Sequence, residues 1–147
     1  MQKPLTIAFD LDDTLIPSRK WKWYLRPFTS HPFRAGTFEL LDYCKTQNFK
    51  IWVYTASIRP SWYIRLLFLR HGYHLDGVVN RQIHWLKVKT PSHKYPPSFG
   101  INVLVDDLES VYTEGKRLNY AVIRVNPNDL NWVETVKTGL QNMSIDE

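Results

Sequence analysis

Residues 9–15 of the chain read FDLDDTL and complete an apolar run, Leu5–Phe9, that is typical of a buried β-strand. A second β-type run, Phe49–Tyr54, is followed by Thr55. A third, Ile101–Val105, is followed by two aspartates. The carboxyl ends of parallel strands joined by helices lie on one edge of their sheet. The sequence therefore predicts a single crevice lined by residues far apart in the chain: Asp10, Asp12, Thr55, Asp106 and Asp107.

Most of the side chains expected in this crevice are carboxylates. Carboxylates that are crowded together repel one another unless a cation lies between them. Mg²⁺ is a hard cation that prefers oxygen ligands. We therefore expect Mg²⁺ as the cofactor of this crevice.

The remainder of the chain alternates between β-type and helical patterns. Helices are predicted from the spacing of apolar residues and from Gly, Asn and Pro at their ends, and the segments Ile16–Pro32 and Asn80–Gly100 are predicted to be irregular. This alternation predicts an α/β fold with a three-layer, doubly wound, Rossmann-like parallel sheet. The further predicted elements are helices at Gly36–Gln47, Pro60–Gly72, Ser110–Asn119 and Asp129–Asn142, and strands at Asp76–Val79 and Tyr120–Val125.

The aspartate motif and its partners carry a resemblance to a known family. Asp10, Asp12 and Thr14 match the first motif, Asp-x-Asp-x-Thr, of the haloacid dehalogenase (HAD) superfamily, whose members are mostly Mg²⁺-dependent phosphatases with an aspartate nucleophile. Thr55 matches the second motif, and Asp106-Asp107 matches the fourth in its Asp-Asp form. The resemblance runs from about Leu5 to Val136 and implies the strand order 5-4-1-2-3 within a single domain, residues 1–147.

The resemblance also implies roles for individual residues. Asp10 would be the nucleophile and a metal ligand. Asp12 would be the general acid and base, and its backbone carbonyl would also meet the metal. Thr55 would bind the substrate phosphate through its hydroxyl, together with the backbone of Ala56 and the side chain of Ser57. Asp13 occupies the variable place of the motif and is interpreted as a turn or capping acid, while Thr14 is expected to hold the turn.

Two assignments stay open at this point. Asp107 is the first choice for the direct metal ligand, with Asp106 bound to the motif lysine or to a metal-bound water, and the reverse assignment is the alternative. Lys94 is the first choice for the lysine that neutralises the nucleophile, with Lys89 and Lys87 as alternatives. The helix that usually separates this lysine from the fourth strand is not predicted here.

Composition and charge narrow the class of protein. The chain has 147 residues, of which 44% are hydrophobic and 22% charged, so it is not a disordered chain. A single cysteine, Cys44, excludes a disulfide framework, and no apolar run approaches the ~20 residues of a membrane helix. Because the amino terminus is predicted to enter a strand at once, we expect no signal peptide. We expect a cytoplasmic protein.

The net charge of +5 is concentrated in two segments without acidic residues, 14–38 and 77–105. Such segments are expected to rim the crevice and to favour an anionic ligand. Trp21, Trp23 and Tyr24 are interleaved with cations in the first segment and would pack over the domain or contact substrate. The basic residues of the two segments are Arg19, Lys20, Lys22, Arg26, Arg34, Arg81, Lys87, Lys89 and Lys94.

The two irregular segments are too short to hold the inserted cap domain of many superfamily members, so a minimal cap and an open crevice are expected. The leading hypothesis is a Mg²⁺-dependent phosphomonoesterase that forms an aspartyl-phosphate and accepts extended anionic substrates. Its partner would be a phosphorylated small molecule, nucleic-acid end or phosphoprotein. The alternative is a binding module for nucleic-acid ends or phosphoproteins with little catalysis. Dehalogenation is disfavoured because Asp12 serves phosphoryl transfer.

Overall fold

The computed structural model describes residues 3–17 and 33–145. The strands are β1 (Thr6–Phe9), β2 (Lys50–Tyr54), β3 (Gly77–Val79), β4 (Val103–Asp106) and β5 (Ala121–Arg124). The helices are α1 (Thr37–Thr46), α2 (Ser61–Leu69), α3 (Arg81–Lys87), α4 (Glu109–Leu118) and α5 (Trp132–Ile145), and a 3₁₀ turn spans Pro96–Phe99.

The five strands form one parallel sheet in the order β3-β2-β1-β4-β5. Ile7 of β1 pairs with Ile51 of β2 on one side and with Val103 of β4 on the other. The chain passes from β1 to β2 and β3 on one side of the sheet and then to β4 and β5 on the other. The topological switch point therefore lies between β1 and β4. The predicted α/β fold and its strand order are confirmed.

Alternate residues of each strand face opposite layers of helices. Ile7 and Phe9 pack into a large core with the buried faces of α1, α2 and α5, and Cys44 lies within it. Ala8, between them, belongs to a smaller core on the other face that includes Tyr54, Leu104 and Val111 of α4. Helices thus cover both faces of the sheet. The polar side chains that follow the strands lie at its carboxyl edge.

The prediction that Asn80–Gly100 is irregular is wrong. Asn80 accepts a hydrogen bond from the Ile83 N–H at 2.9 Å and so caps the start of α3. The helix has only seven residues and buries none of them, so it left no apolar periodicity to detect. In place of a longer helix before β4 there is the 3₁₀ turn, which begins at Pro96.

The segment between β3 and β4 therefore carries one short helix and one 3₁₀ turn. Residues 18–32 lie outside the described part of the chain. With them lie the predictions for the rings Trp21, Trp23 and Tyr24 and for the cations Arg19, Lys20, Lys22 and Arg26. Within the described ranges, no helix is long and apolar enough to cross a membrane.

Candidate active site

A tight turn after β1 brings Thr14 back onto Asp10. The Asp10 N–H extends the sheet by donating to the Val105 carbonyl at 2.8 Å. Asp13 then adopts a left-handed φ of 63°, which aspartate tolerates, and its N–H donates to the carbonyl of Ile16 at 2.7 Å. The buried Thr14 hydroxyl lies 3.0 Å from Asp10 Oδ2 and 3.3 Å from Asp107 Oδ1. The structure therefore places Asp13 in the turn and Thr14 between two carboxylates of the crevice.

A buried lysine joins the aspartates of β1 and β4. Lys94 Nζ lies 2.8 Å from Asp10 Oδ1 and 2.6 Å from Asp106 Oδ2. The second oxygen of Asp106 accepts the Leu108 N–H at 3.0 Å, so both oxygens of this carboxylate are engaged by donors. Lys94 and Asp106 are 2% and 0% exposed. Lys94 therefore lies at the crevice and pairs with Asp106 as well as with Asp10.

Burial and charge act together on the protonation of this cluster. Burial raises the pKa of Asp10 well above its usual range and the charge of Asp106 adds to the rise, while Lys94 opposes it. Burial likewise raises the pKa of Asp107. Burial alone would lower the pKa of Lys94, but the carboxylates of Asp10 and Asp106 outweigh it and the pKa is raised. Lys94 is therefore held as the ammonium ion.

Lys94 contacts two carboxylates of a cluster of three. One oxygen each from Asp10, Asp106 and Asp107 lies within 4.8 Å of the others. When all three are ionised, two negative charges remain uncompensated by Lys94. Clustered carboxylate oxygens with an excess of negative charge are suited to a hard divalent cation. The cluster could thus hold a metal ion, and the carboxylate of Asp12 lies outside it.

Lys94 lies in a loop that is held in place by a buried carboxylate on one helix and a buried hydroxyl group on one strand. Glu114 of α4 accepts the backbone N–H groups of His93 and Lys94 at 2.9 and 3.3 Å. The Tyr54 hydroxyl of β2 accepts the Tyr95 N–H at 2.9 Å and pairs with Nδ1 of His84. Burial raises the pKa of Tyr54 to about 12, so this hydroxyl stays protonated. Sequence reasoning missed Glu114 and Tyr54, which hold the loop that carries the lysine.

The loop after β2 is organised around two hydroxyl groups. Thr55 is 1% exposed, and its N–H continues the sheet by donating to the Val79 carbonyl at 2.8 Å. The Thr55 hydroxyl donates to Ser57 Oγ at 3.1 Å and accepts the Ser57 N–H at 3.1 Å. Ala56, between them, is exposed at the edge of the sheet. Thr55, Ala56 and Ser57 therefore lie on the same sheet edge as the aspartates.

Arg59 is the main residue of the site that sequence reasoning did not find. Its guanidinium binds both oxygens of Asp12, with NH1 2.9 Å from Oδ2 and NH2 2.8 Å from Oδ1. NH1 also lies 3.3 Å from Ser57 Oγ. Arg59 is only 5% exposed. Asp12 is thus paired with an arginine, whereas Asp10 is paired with a lysine.

The other predicted cations lie elsewhere. Lys87 and Lys89 are exposed, and Lys87 Nζ lies 5.1 Å from the centre of the Phe99 ring. Arg34 was predicted to lie at the rim of the crevice, but its guanidinium is held by other contacts. Its NH2 group donates to the carbonyls of Asn126 and Asp129 at 2.9 and 2.7 Å, and its guanidinium lies over the Trp132 ring. Through these contacts Arg34 links its own segment, which follows the motif turn, to the segment that precedes α5.

The fold of the chain is shared with solved structures. The chain has a haloacid dehalogenase-like fold. A predicted HAD-like family hydrolase from Porphyromonas gingivalis matches with a TM-score of 0.55 and 15% identity, over 94% of this chain and 98% of that one. An uncharacterized protein from Listeria monocytogenes serotype 4b matches with a TM-score of 0.56 and 17% identity, over 82% of this chain and 78% of that one.

A third similar chain comes from the structure of a Pnkp1/Rnl/Hen1 complex. It matches with a TM-score of 0.55 and 17% identity over 86% of this chain and 47% of that one. No protein-family model and no curated protein matches the sequence. Identities this low show the fold alone, so the activity has to be argued from the side chains of the site.

Proposed function

We propose that the chain is a Mg²⁺-dependent phosphomonoesterase that forms an aspartyl-phosphate on Asp10. The observation that carries the proposal is the buried Lys94, whose Nζ lies 2.8 Å from Asp10 and 2.6 Å from Asp106. A buried ammonium beside a carboxylate at the end of β1 supplies the charge that a dianionic phosphoryl group needs in order to approach a carboxylate. Thr55 lies on the same edge of the sheet and would bind phosphoryl oxygens through its hydroxyl.

The reaction would proceed in two displacements at phosphorus. In the first, an oxygen of Asp10 forms a bond to phosphorus, the bond to the ester oxygen breaks, and Asp12 gives that oxygen its proton. In the second, Asp12 takes a proton from water as the water attacks phosphorus. The bond to Asp10 then breaks and inorganic phosphate is released. Thr55 and Lys94 would bind the phosphoryl oxygens throughout.

The carboxylate cluster fits the proposed metal. When ionised, the three carboxylates carry two negative charges in excess of Lys94 on oxygens within 4.8 Å of one another, and such a cluster suits a divalent cation with oxygen ligands. Asp10 and Asp107 would hold it, with Asp106 bound to Lys94, and the backbone carbonyl of Asp12 remains a predicted ligand. When bound, Mg²⁺ supplies positive charge that stabilises the phosphoryl transition state.

Hydrolysis of a generic aryl phosphate by the purified protein tests this function. Asp10→Asn should abolish turnover because an amide cannot form the acyl-phosphate. Asp13→Asn is the matched control, since it changes a neighbouring carboxylate in a left-handed turn position that asparagine also tolerates. Chelation should stop the wild-type reaction, and Mg²⁺ should restore it.

Two outcomes would count against the proposal. If Asp10→Asn kept its rate within about tenfold of wild type, a loss of only ~1.4 kcal/mol, the covalent mechanism would be wrong. If wild type bound phosphorylated ligands tightly and turned none of them over, the alternative of a binding module would be the better answer.

We further propose an extended anionic substrate. The Arg81 N–H donates to the Ser57 carbonyl at 3.0 Å, so α3 starts beside the loop that would bind the phosphoryl group. Trp85 and Leu86 of α3 are 77% and 75% exposed, and Lys87 lies next to them. An exposed ring among cations can stack on a base while the cations contact backbone phosphates. A 3′-phosphorylated oligonucleotide is the substrate that fits these features.

Comparison of kcat/KM for such an oligonucleotide and for a small phosphate ester tests the substrate class. Trp85→Ala should cost about 1 kcal/mol, or about fivefold, on the oligonucleotide and spare the small ester, since exposed stacking lies at the lower end of its usual range. Leu86→Ala is the control because it removes an equally exposed apolar side chain without a ring. Binding should weaken steeply with salt. Equal efficiency on both substrates, unaffected by Trp85, would favour a small-molecule phosphatase.

A further inference from the structure

The ion pair between Arg59 and Asp12 has a geometry that fixes orientation as well as charge. Two parallel N–H···O bonds of 2.8 and 2.9 Å hold the carboxylate in the plane of the guanidinium. Single bonds from a lysine would leave that carboxylate free to rotate. The plane of the Asp12 carboxylate is therefore set by Arg59.

Arg59 is itself held on several sides. Its backbone carbonyl accepts Nδ2 of the buried Asn80 at 3.0 Å, and its NH1 lies 3.3 Å from Ser57 Oγ. Pro60 follows it and starts α2. The guanidinium thus belongs to the same loop as Thr55, and its pair with Asp12 links the position of Asp12 to that loop.

The pair leaves Asp12 able to act. Its side chain is 35% exposed, whereas that of Arg59 is 6% exposed. Each carboxylate oxygen has a second lone pair beyond the one that accepts from arginine. The open side of Asp12 can therefore meet an ester oxygen or a water molecule while the other side stays bound to Arg59.

We propose that Arg59 is a positioning residue that holds Asp12 at a fixed place beside the Thr55–Ser57 loop, where the phosphoryl group would bind. The inference rests on the proposed function, in which Asp12 handles the proton. A role in stability alone explains the contact less well, because burying a guanidinium against a partly exposed carboxylate carries a desolvation cost that the pairing offsets poorly.

The test combines Arg59→Gln, Arg59→Lys and Asp12→Asn in a double-mutant cycle. The control is Arg65→Gln, which removes a guanidinium that donates to the Leu75 carbonyl at 2.9 Å, in the helix that follows Arg59. The readouts are kcat and KM for two aryl phosphates, one with a good and one with a poor leaving group. Crystal structures of wild type and the Arg59 variants give the position of the Asp12 carboxylate.

Arg59→Gln should lower kcat by about 10- to 100-fold, part of the usual worth of a general acid and base, and change KM little. The loss should be larger for the poor leaving group, and Arg59→Lys should recover part of it. In the Asp12→Asn background Arg59→Gln should have almost no further effect. Arg65→Gln should leave both constants near wild type.

Two results would overturn the inference. One is an equal loss of kcat from Arg59→Gln in the wild-type and Asp12→Asn backgrounds. The other is an unchanged position of the Asp12 carboxylate in the Arg59→Gln crystal structure, or in that of Arg59→Lys if the glutamine variant does not fold. The structural comparison does not need turnover. Absence of phosphatase activity in wild type would therefore contradict the proposed function, while the position of Asp12 would still decide the role of Arg59.

Discussion

The two aspartates of the first motif lie two residues apart and have different surroundings. Asp10 is 6% exposed and shares Lys94 with Asp106. Asp12 has a side chain that is 35% exposed and has Arg59 bound to both of its oxygens. We call Asp10, Lys94, Asp106 and Asp107 the nucleophile half of the site, and Asp12 with Arg59 the acid–base half.

The difference between the halves is one of charge balance. In the nucleophile half three carboxylates share one ammonium group, and burial raises the pKa of Asp10 well above its usual range. In the acid–base half one guanidinium meets one carboxylate, so the charges cancel. A surplus of negative charge is what attracts a cation, and only the nucleophile half has one.

Removal of Lys94 should have the largest effect on activity of the changes considered in the two halves. Lys94→Gln leaves three carboxylates with no ammonium group, and it removes the cation proposed to bind the phosphoryl oxygens. We expect kcat/KM for an aryl phosphate to fall by about 10²- to 10³-fold, the usual loss for one electrostatic donor. Lys87→Gln and Lys89→Gln are matched controls that should stay near wild type. An equal loss from either control would show that the motif lysine had been misassigned.

Mg²⁺ should stabilise the protein through the carboxylates of the nucleophile half and not through the carboxylate of Asp12. At a concentration 100 times its dissociation constant, Mg²⁺ should raise the free energy of unfolding by about 2.7 kcal/mol. Asp12→Asn should keep this gain because the Asp12 carboxylate binds Arg59, whereas Asp107→Asn should lose most of it. Denaturant unfolding with and without Mg²⁺ measures both effects. If Asp106→Asn removed the gain and Asp107→Asn did not, the reverse assignment of the two aspartates would hold.

Most of the nucleophile half could be predicted from the sequence because it follows from strand order. Asp10 and Asp106 each end an apolar run, and parallel strands bring such ends to one edge whatever the loops do. Thr55 is predictable for the same reason. Lys94 was one of three candidate lysines, because its place depends on Glu114, which lies 20 residues away on α4.

The acid–base half could not be predicted because its contact depends on the path of a loop. Arg59 meets Asp12 across 47 positions of sequence, and neither residue belongs to a periodic pattern that would pair them. The helix α3 was missed for a related reason, since it depends on the Asn80 cap and buries no residue. Hydrophobic periodicity reports elements that pack into a core, and side-chain pairs within loops leave no such trace.

The smallest expected effect is on the pH dependence of the free energy of unfolding, and it comes from Asp10 in the nucleophile half. Burial and the charge of Asp106 raise the pKa of Asp10, against the opposing effect of Lys94. Because the folded pKa is above the unfolded one, the stability from protonated Asp10 is full at low pH and is lost as pH rises through the raised pKa. Asparagine has no such loss. In metal-free protein, Asp10→Asn should therefore become more stable than wild type as pH increases from 4 to 8.

The gain should grow with pH, because wild type loses the stability of protonated Asp10 and the asparagine variant does not. Denaturant unfolding across this pH range in the presence of a chelator measures it. Saturating Mg²⁺ is the internal control, because it stabilises wild type more than the variant and should reverse the order at pH 8. A metal-free Asp10→Asn variant less stable than wild type at pH 8 would show that the ion pair with Lys94 outweighs burial and favours ionised Asp10.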